Sequence, residues 1–308
     1  MLWRAQPTDS APRPGARTAP VLSRVAPPQP VDVRVVAESA RSLEALPASL
    51  VRLAGLVADP DVDMRLIVEV VTYDEALTAN LLRRANSAVS AARNPIRTVH
   101  DAVVRLGMGT VLALAMSASM SSRMRKALPQ YGLAEGELWE HSVATSLAVD
   151  VLRGRSGTTL PPEASTAGLL HDLGKLVLCR FLGPSILAMV RDASTTEGLS
   201  WTAAEQRILG IHHGQLAGVI AEQWRMPPSI VAGVSLHHTP SKAPGDPVVW
   251  AVAAADVMAH ASVGTAPTPL DLAVRRGACE VLGVPGDQWP TMVGEVGHRF
   301  RELRERYA

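Results

Sequence analysis

The sequence predicts an all-α fold, and three observations carry that prediction. The chain is 47% hydrophobic but only 4% aromatic, and Ala, Leu and Val dominate its apolar set, a mix that suits helix-on-helix packing better than pleated surfaces. From about residue 31 onward apolar residues recur at spacings of three and four, the period of a helix with one buried face. No stretch shows the strict alternation of a half-buried strand, and no segment repeats in tandem.

Residues 1–30 precede the periodic pattern. They hold seven of the 23 prolines, with Arg4, Arg13, Arg17 and Arg24 against Asp9 alone, and read as a disordered Pro/Arg-rich tail. Residues 31–130 form an N-terminal helical lobe. Leu43, Leu46, Leu50, Leu53 and Leu56 line one face of a helix pair broken at Pro47. Asp59-Pro60-Asp61 stops it, and Leu66, Ile67, Val70 and Val71, then Leu77, Leu81 and Leu82, mark the next helices. Residues 94–98 are a turn in which Thr98 caps a helix ending at Gly107. An apolar helix over 109–127 finishes in Arg123, Arg125 and Lys126, cations suited to a helix C-terminus.

The Pro/Gly-rich stretch LPQYGLAEG, near 127–134, is the seam to a second helical set over 131–262. Helices are expected at about 134–154, 162–182, 184–196, 200–210, 213–225, 228–238 and 247–262, the last opened by Asp246-Pro247 as N-cap and first residue. Residues 263–308 add two more, the final one charged (HRFRELRERYA).

Composition excludes several function classes. The formal net charge is +1, and the basic runs RMRK (123–126) and RR (275–276) are short, so they read as solvated helix faces; no nucleic-acid partner is expected. The longest apolar run, 106–120, is too short for a membrane span, and no apolar core precedes a cleavage site at the N-terminus. Cys179 and Cys279 lie a hundred residues apart without a CxxC pair, as expected of free thiols in a reducing compartment. A cytoplasmic protein without a membrane partner follows.

The stretch AGLLHDLGKLVL (167–178) sets His171, Asp172 and Lys175 into apolar surroundings. Buried groups of this kind need partners, and other helices offer them. Glu137 and His141 are four residues apart on one helix face. His213 opens a helix, with His212 beside it as the other choice; His237 and His238 end one, and Asp256 lies within VVWAVAAADVMAH. Nitrogen and oxygen donors without thiolate suit Fe, Mn, Zn or Mg, one ion or two, with no organic cofactor. A carboxylate such as Asp172 can bridge two metals about 3.5–4 Å apart, a spacing that serves phosphoryl transfer, with Lys175 neutralising a phosphate oxygen. The competing reading is a polar core network, with Asp172–Lys175 and Asp256–His260 as ordinary same-helix pairs.

His141, His171-Asp172 and the later Asp256 resemble the pattern of the HD superfamily of metal-dependent phosphohydrolases. The ordered runs LEALPASLVRLAGLVADPD, DEALTANLLRRANSA, IRTVHDAVVRLG, LWEHSVATSLAVDVL, AGLLHDLGKLVL and LGIHHGQLAGVIAEQWRMPPSIVAGVSLHH, over roughly 42–260, resemble its HDOD branch, a bacterial signalling domain related to the HD-GYP phosphodiesterases. The resemblance implies an N-terminal lobe packed on an HD-like helical bundle. It also implies metal-ligand positions at Glu137, His141, His171, Asp172, His213, His237, His238 and Asp256, with His213 a better match than His212. After His237-His238 the chain reads TPSKAPGD, without the Gly-Tyr-Pro signature of the cyclic di-GMP enzymes. A regulatory module working through a signalling protein or a small ligand is therefore expected. The alternative is a metal-dependent phosphohydrolase in which Asp172 and Lys175 act catalytically.

Overall fold

A computed structural model describes residues 38, 43, 45–88, 96–182 and 184–307. The expected tail, and Asn94 and Pro95 of the expected turn, lie outside the described residues. Among the described residues there is no strand; one isolated bridge pairs Leu128 with Leu133.

Among the described residues, five helices fall in the segment expected as the lobe: α1 (Ala48–Val57), α2 (Met64–Thr72), α3 (Glu75–Ala88), α4 (Val99–Leu106) and α5 (Met108–Met124). Of the helix pair expected around Pro47, the second member is α1, and the first falls largely outside the described residues. Residues 45–47 are non-helical and Pro47 stands at the N-cap of α1, because the ring disfavours helical backbone in the residue before it. Leu43 and Leu46 are buried all the same, with Leu50 and Leu53. Thr98 caps α4 as expected, its hydroxyl accepting from the Asp101 N–H at 3.0 Å. Gly107, at φ +79°, turns the chain through 119° into α5, a backbone conformation that favours glycine.

The bundle centres on α6 (Glu137–Arg153), which packs against α7 (Ala164–Leu170), α13 (Pro247–Ser262) and α15 (Trp289–Tyr307). The segment expected as one helix over 162–182 is two, α7 and α8 (Leu173–Phe181), broken at His171-Asp172. His171 keeps helical angles, and Asp172 leaves them at φ −96°, ψ 6°. The apolar period continues across the break, which is why the sequence reads as unbroken. Then follow α9 (Pro184–Glu197) and α10 (Trp201–Leu209), packed on each other, α11 (His213–Gln223), α12 (Pro228–Leu236) and α14 (Pro269–Leu282). Helix α11 lies on α8 and α12, and α12 lies on α7 and α13. Asp246 caps α13 by accepting from the N–H groups of Val248 and Val249 at 2.9 and 3.1 Å.

Helix α5 packs on α6 and α7, so one hydrophobic core runs from Leu53 and Ile67 through Met116 and Leu170 to Val252. Among the described residues no single helix is long and apolar enough to cross a membrane. Cys179 is half-buried and free, and burial pushes its thiol up to about 12, with the Glu205 charge adding to the shift. Thiolate is the reactive form, so at pH 8 a thiol reagent should label Cys179 far more slowly in the native protein than after unfolding. Rapid native labelling, read by mass spectrometry, would contradict this packing.

Candidate metal centre

Breaking the helix between α7 and α8 is what lets His171 and Asp172 act together. On a continuous helix, adjacent side chains diverge by about 100°. Here both point inward, His171 fully buried and Asp172 nearly so. Helix α6 brings His141, the start of α11 brings His213, the end of α12 brings His237 and His238, and α13 brings Asp256.

Asp172 straddles the cluster. Its Oδ1 lies 3.1 Å from His213 Nε2, while its Oδ2 lies 3.4 and 3.7 Å from the Nε2 atoms of His171 and His141 and accepts from Lys175 Nζ at 2.7 Å. Asp256 Oδ1 is 3.1 Å from His141 Nε2 and 3.7 Å from His171 Nε2. The donor atoms of Asp172, His213, His237 and His238 fall within 4.8 Å of one another, as do those of His141, His171 and Asp172 and those of His171, His237 and Asp256.

The far ring nitrogens explain how the imidazoles are aimed. Helix C-terminal carbonyls have no partner within their own helix. His171 and His237 stand just past such ends, each with Nδ1 2.8 Å from the carbonyl three residues back, Gly168 and Val234. A carbonyl only accepts, so Nδ1 carries a proton and Nε2 is the atom turned to the cluster. His213 is fixed the same way by Glu205, 2.7 Å from its Nδ1.

These donors fit a divalent metal. The Nε2 of His237 is buried without a hydrogen-bond partner among the described residues, and such an orphan calls for an explanation such as an ion. Burial, with the neighbouring His171, pushes the His237 imidazole down to about 3. His238 is driven well below its ordinary value by burial and by His237. Both are therefore neutral, the form that ligates. Burial would raise both aspartates, but Lys175 and His171 outweigh it at Asp172, and His141 and His171 outweigh it at Asp256, so each is held well below the usual carboxylate range. His213 differs: burial acts against its charge, yet the Glu205 and Asp172 carboxylates lift it to about 9, so its Nε2 carries a proton at neutral pH that a bound ion would displace.

Seven of the eight expected ligand positions thus meet in one place. Glu137 does not join them: its carboxylate accepts from the Ala134 N–H at 2.7 Å, before its own helix. It lines the cleft of roughly 330 Å³ that opens onto His141, Asp172 and Lys175, with Phe300 on an apolar wall. His213 turns its Nε2 into the cluster, whereas His212 is the N-cap of α11 and bonds Gln215 in both directions. The Asp172–Lys175 pair is real as well, so the ion-pair reading and the site reading describe the same residues.

Sequence reasoning missed Glu205 and Tyr131, which stand behind His213, and weighed His260 only as a partner of Asp256. His260 Nε2 is 3.5 Å from Asp256 Oδ1, and its ring lies 4.5 Å from that of His141. Glu205 offered one weak signal, a carboxylate beside Ala204 on the buried side of a short helix.

The sequence matches the profile of the HDOD domain over residues 43–240. No curated protein matches it. Among solved structures, an HDOD domain protein of unknown function from Geobacter sulfurreducens is 25% identical, with a TM-score of 0.69, covering 89% of this chain and 97% of that one. A Shewanella amazonensis protein, provisionally called a phosphohydrolase, is 24% identical, with a TM-score of 0.67 over 89% of this chain and 98% of its own. A Marinobacter aquaeolei protein, provisionally assigned to signal transduction, is 22% identical, with a TM-score of 0.69 over 88% of this chain and 64% of its own. The last two likenesses establish the fold, and the profile match over most of the chain establishes the family: this chain belongs to the HDOD domain family.

Proposed function

We infer that the chain is a cytoplasmic signal-transduction module that holds divalent metal in the buried cluster and reads a small phosphorylated ligand through the cleft, passing its state to a protein partner. The observation that carries this reading is the placement of Asp172, with one oxygen toward His213 and the other toward His171, His141 and Lys175. Asp172 would be shared between two subsites. His213, His237 and His238 would complete one, and His141, His171 and Asp256 the other. A bound divalent ion supplies Lewis-acid polarisation of a phosphoryl oxygen and acidifies water. The chain's own part is to orient and exclude. Lys175, at the cleft edge, offers a point charge to a phosphate oxygen, and Phe300 and Val263 offer apolar surface to the ligand's organic part.

A second reading, a metal-dependent phosphohydrolase, is favoured by the same completeness of the donor set with Lys175 beside it. Both readings are tested together by measuring the metal content of the purified chain, then inorganic phosphate binding and turnover on a panel of nucleotides and phosphate esters after Mn²⁺ or Fe²⁺ loading. The regulatory reading expects bound metal and saturable phosphate binding without turnover. Turnover that vanishes in Asp172→Asn replaces it with the hydrolase. A chain that takes up no metal under any loading condition overturns both.

A further inference from the structure

Glu205 is fully buried on α10, eight residues before His213 in sequence. Its Oε2 accepts twice from one residue, from the His213 backbone N–H at 2.8 Å and from Nδ1 at 2.7 Å. Its Oε1 accepts from the Tyr131 hydroxyl at 2.6 Å. Tyr131 ends the 3-10 turn Pro129–Tyr131 at the seam between lobe and bundle. Its ring packs against Trp201, centroids 5.2 Å apart, and Lys175 Nζ lies 5.9 Å from its centroid. Lys175 is the ammonium that holds Asp172. One seam residue therefore touches the groups behind two ligands, Glu205 behind His213 and Lys175 behind Asp172.

Stability alone does not explain a buried Glu205. A buried ion pair is often no more stabilising than apolar residues of the same volume. What the carboxylate adds is orientation: it fixes which nitrogen of His213 carries the proton, aims Nε2 at Asp172, and makes the ring a stronger donor to an ion.

We propose that Glu205 is the positioning residue of the His213 subsite, and that Tyr131, through Glu205 and Lys175, ties metal affinity to the order of the seam turn. The inference rests on the metal-binding reading above. Linkage is reciprocal, so a change at the seam that weakens metal binding implies that metal binding in turn stabilises the seam.

The test uses the full chain and Co²⁺ as probe, with affinity and ligand field read from visible absorption, and with hydrogen exchange of residues 128–136 measured with and without the metal. Glu205→Gln keeps an acceptor for Nδ1–H but loses the charge, and should weaken Co²⁺ binding by about 10–100-fold, as outer partners of ligating histidines do. Tyr131→Phe keeps the ring over Lys175 and removes only the hydroxyl. It should give a smaller loss of affinity, an altered Co²⁺ spectrum, and less metal-induced protection of the seam. It removes one hydroxyl and no packing, so it keeps the test decisive should Glu205→Gln fold poorly. Wild-type affinity, spectrum and seam protection in Tyr131→Phe overturn the relay while leaving the metal reading standing. A wild-type chain that takes up no Co²⁺, Mn²⁺ or Fe²⁺ overturns the metal reading itself.

Discussion

Asp172→Asn should empty the metal centre while leaving the helical fold in place. Among the described residues Asp172 is the side chain whose two oxygens face both halves of the cluster, so its loss would remove a donor from each proposed subsite at once. An amide oxygen is a far weaker donor to a hard cation than a carboxylate, and the variant also loses the charge that balances Lys175 at 2.7 Å. Removing one partner of a buried pair costs about 3–5 kcal/mol in the worst case, which argues for Asn over Ala and for a Lys175→Met companion that removes the stranded ammonium. Metal at a hundred times its dissociation constant adds about 2.7 kcal/mol to the stability of a protein that binds it only when folded. The wild-type melting temperature should therefore rise on Mn²⁺ addition, while those of Asp172→Asn and the double variant should not move. Metal content near zero in both, with wild-type helicity by circular dichroism, is the expected result. A metal-induced shift as large as that of wild type in the double variant would place the ion elsewhere.

Much of this protein was legible in its sequence because the period of the apolar residues reports helices directly, and caps such as Thr98 and Asp246 mark their starts. The His/Asp cluster was legible only as a set. No single histidine signals a ligand, but the order of His141, His171-Asp172, His213 and His237-His238 along the chain carries the family resemblance. Two things escaped for physical reasons. The break at His171-Asp172 leaves no mark in the apolar period, because α7 and α8 bury the same kind of residue on either side of it. Glu205 and Tyr131 act on His213 from different elements, and Tyr131 stands 74 positions from its carboxylate partner. Pairings across that distance are fixed by tertiary packing, not by any local pattern. Glu137 errs the other way: its four-residue spacing from His141 is right for a shared face, yet its carboxylate turns back to the Ala134 N–H instead of into the cluster.

The same glycine-to-alanine change should have opposite signs at two helical positions, and the difference measures how tightly the site is built. Gly174 lies in α8 two residues after Asp172. A Cβ there would come within 2.0 Å of the His213 carbonyl oxygen and 2.8 Å of its carbonyl carbon. Those are backbone atoms at the start of α11, which no rotamer change can move aside. Gly55 lies in α1, and a Cβ there meets nothing within 4 Å. Alanine in an open helix interior gains up to about 1 kcal/mol over glycine, so Gly55→Ala should raise the melting temperature. At Gly174 that gain is offset by overpacking, which costs about 1–3 kcal/mol even where flexible side chains yield, and backbone yields less. Gly174→Ala should be destabilised by roughly 2 kcal/mol. The damage should not stay in the melting curve. Helices α8 and α11 carry Asp172 and His213 on either side of that contact, so pushing them apart lengthens the 3.1 Å approach of Asp172 Oδ1 to His213 Nε2. Metal affinity should fall at least tenfold in the folded variant, a loss in the range produced by disturbing a ligand's support, whereas Gly55→Ala binds metal as wild type does. If both alanines stabilise the protein, or if Gly174→Ala loses stability but not affinity, then the close packing of α8 on α11 is not what brings the two subsites together.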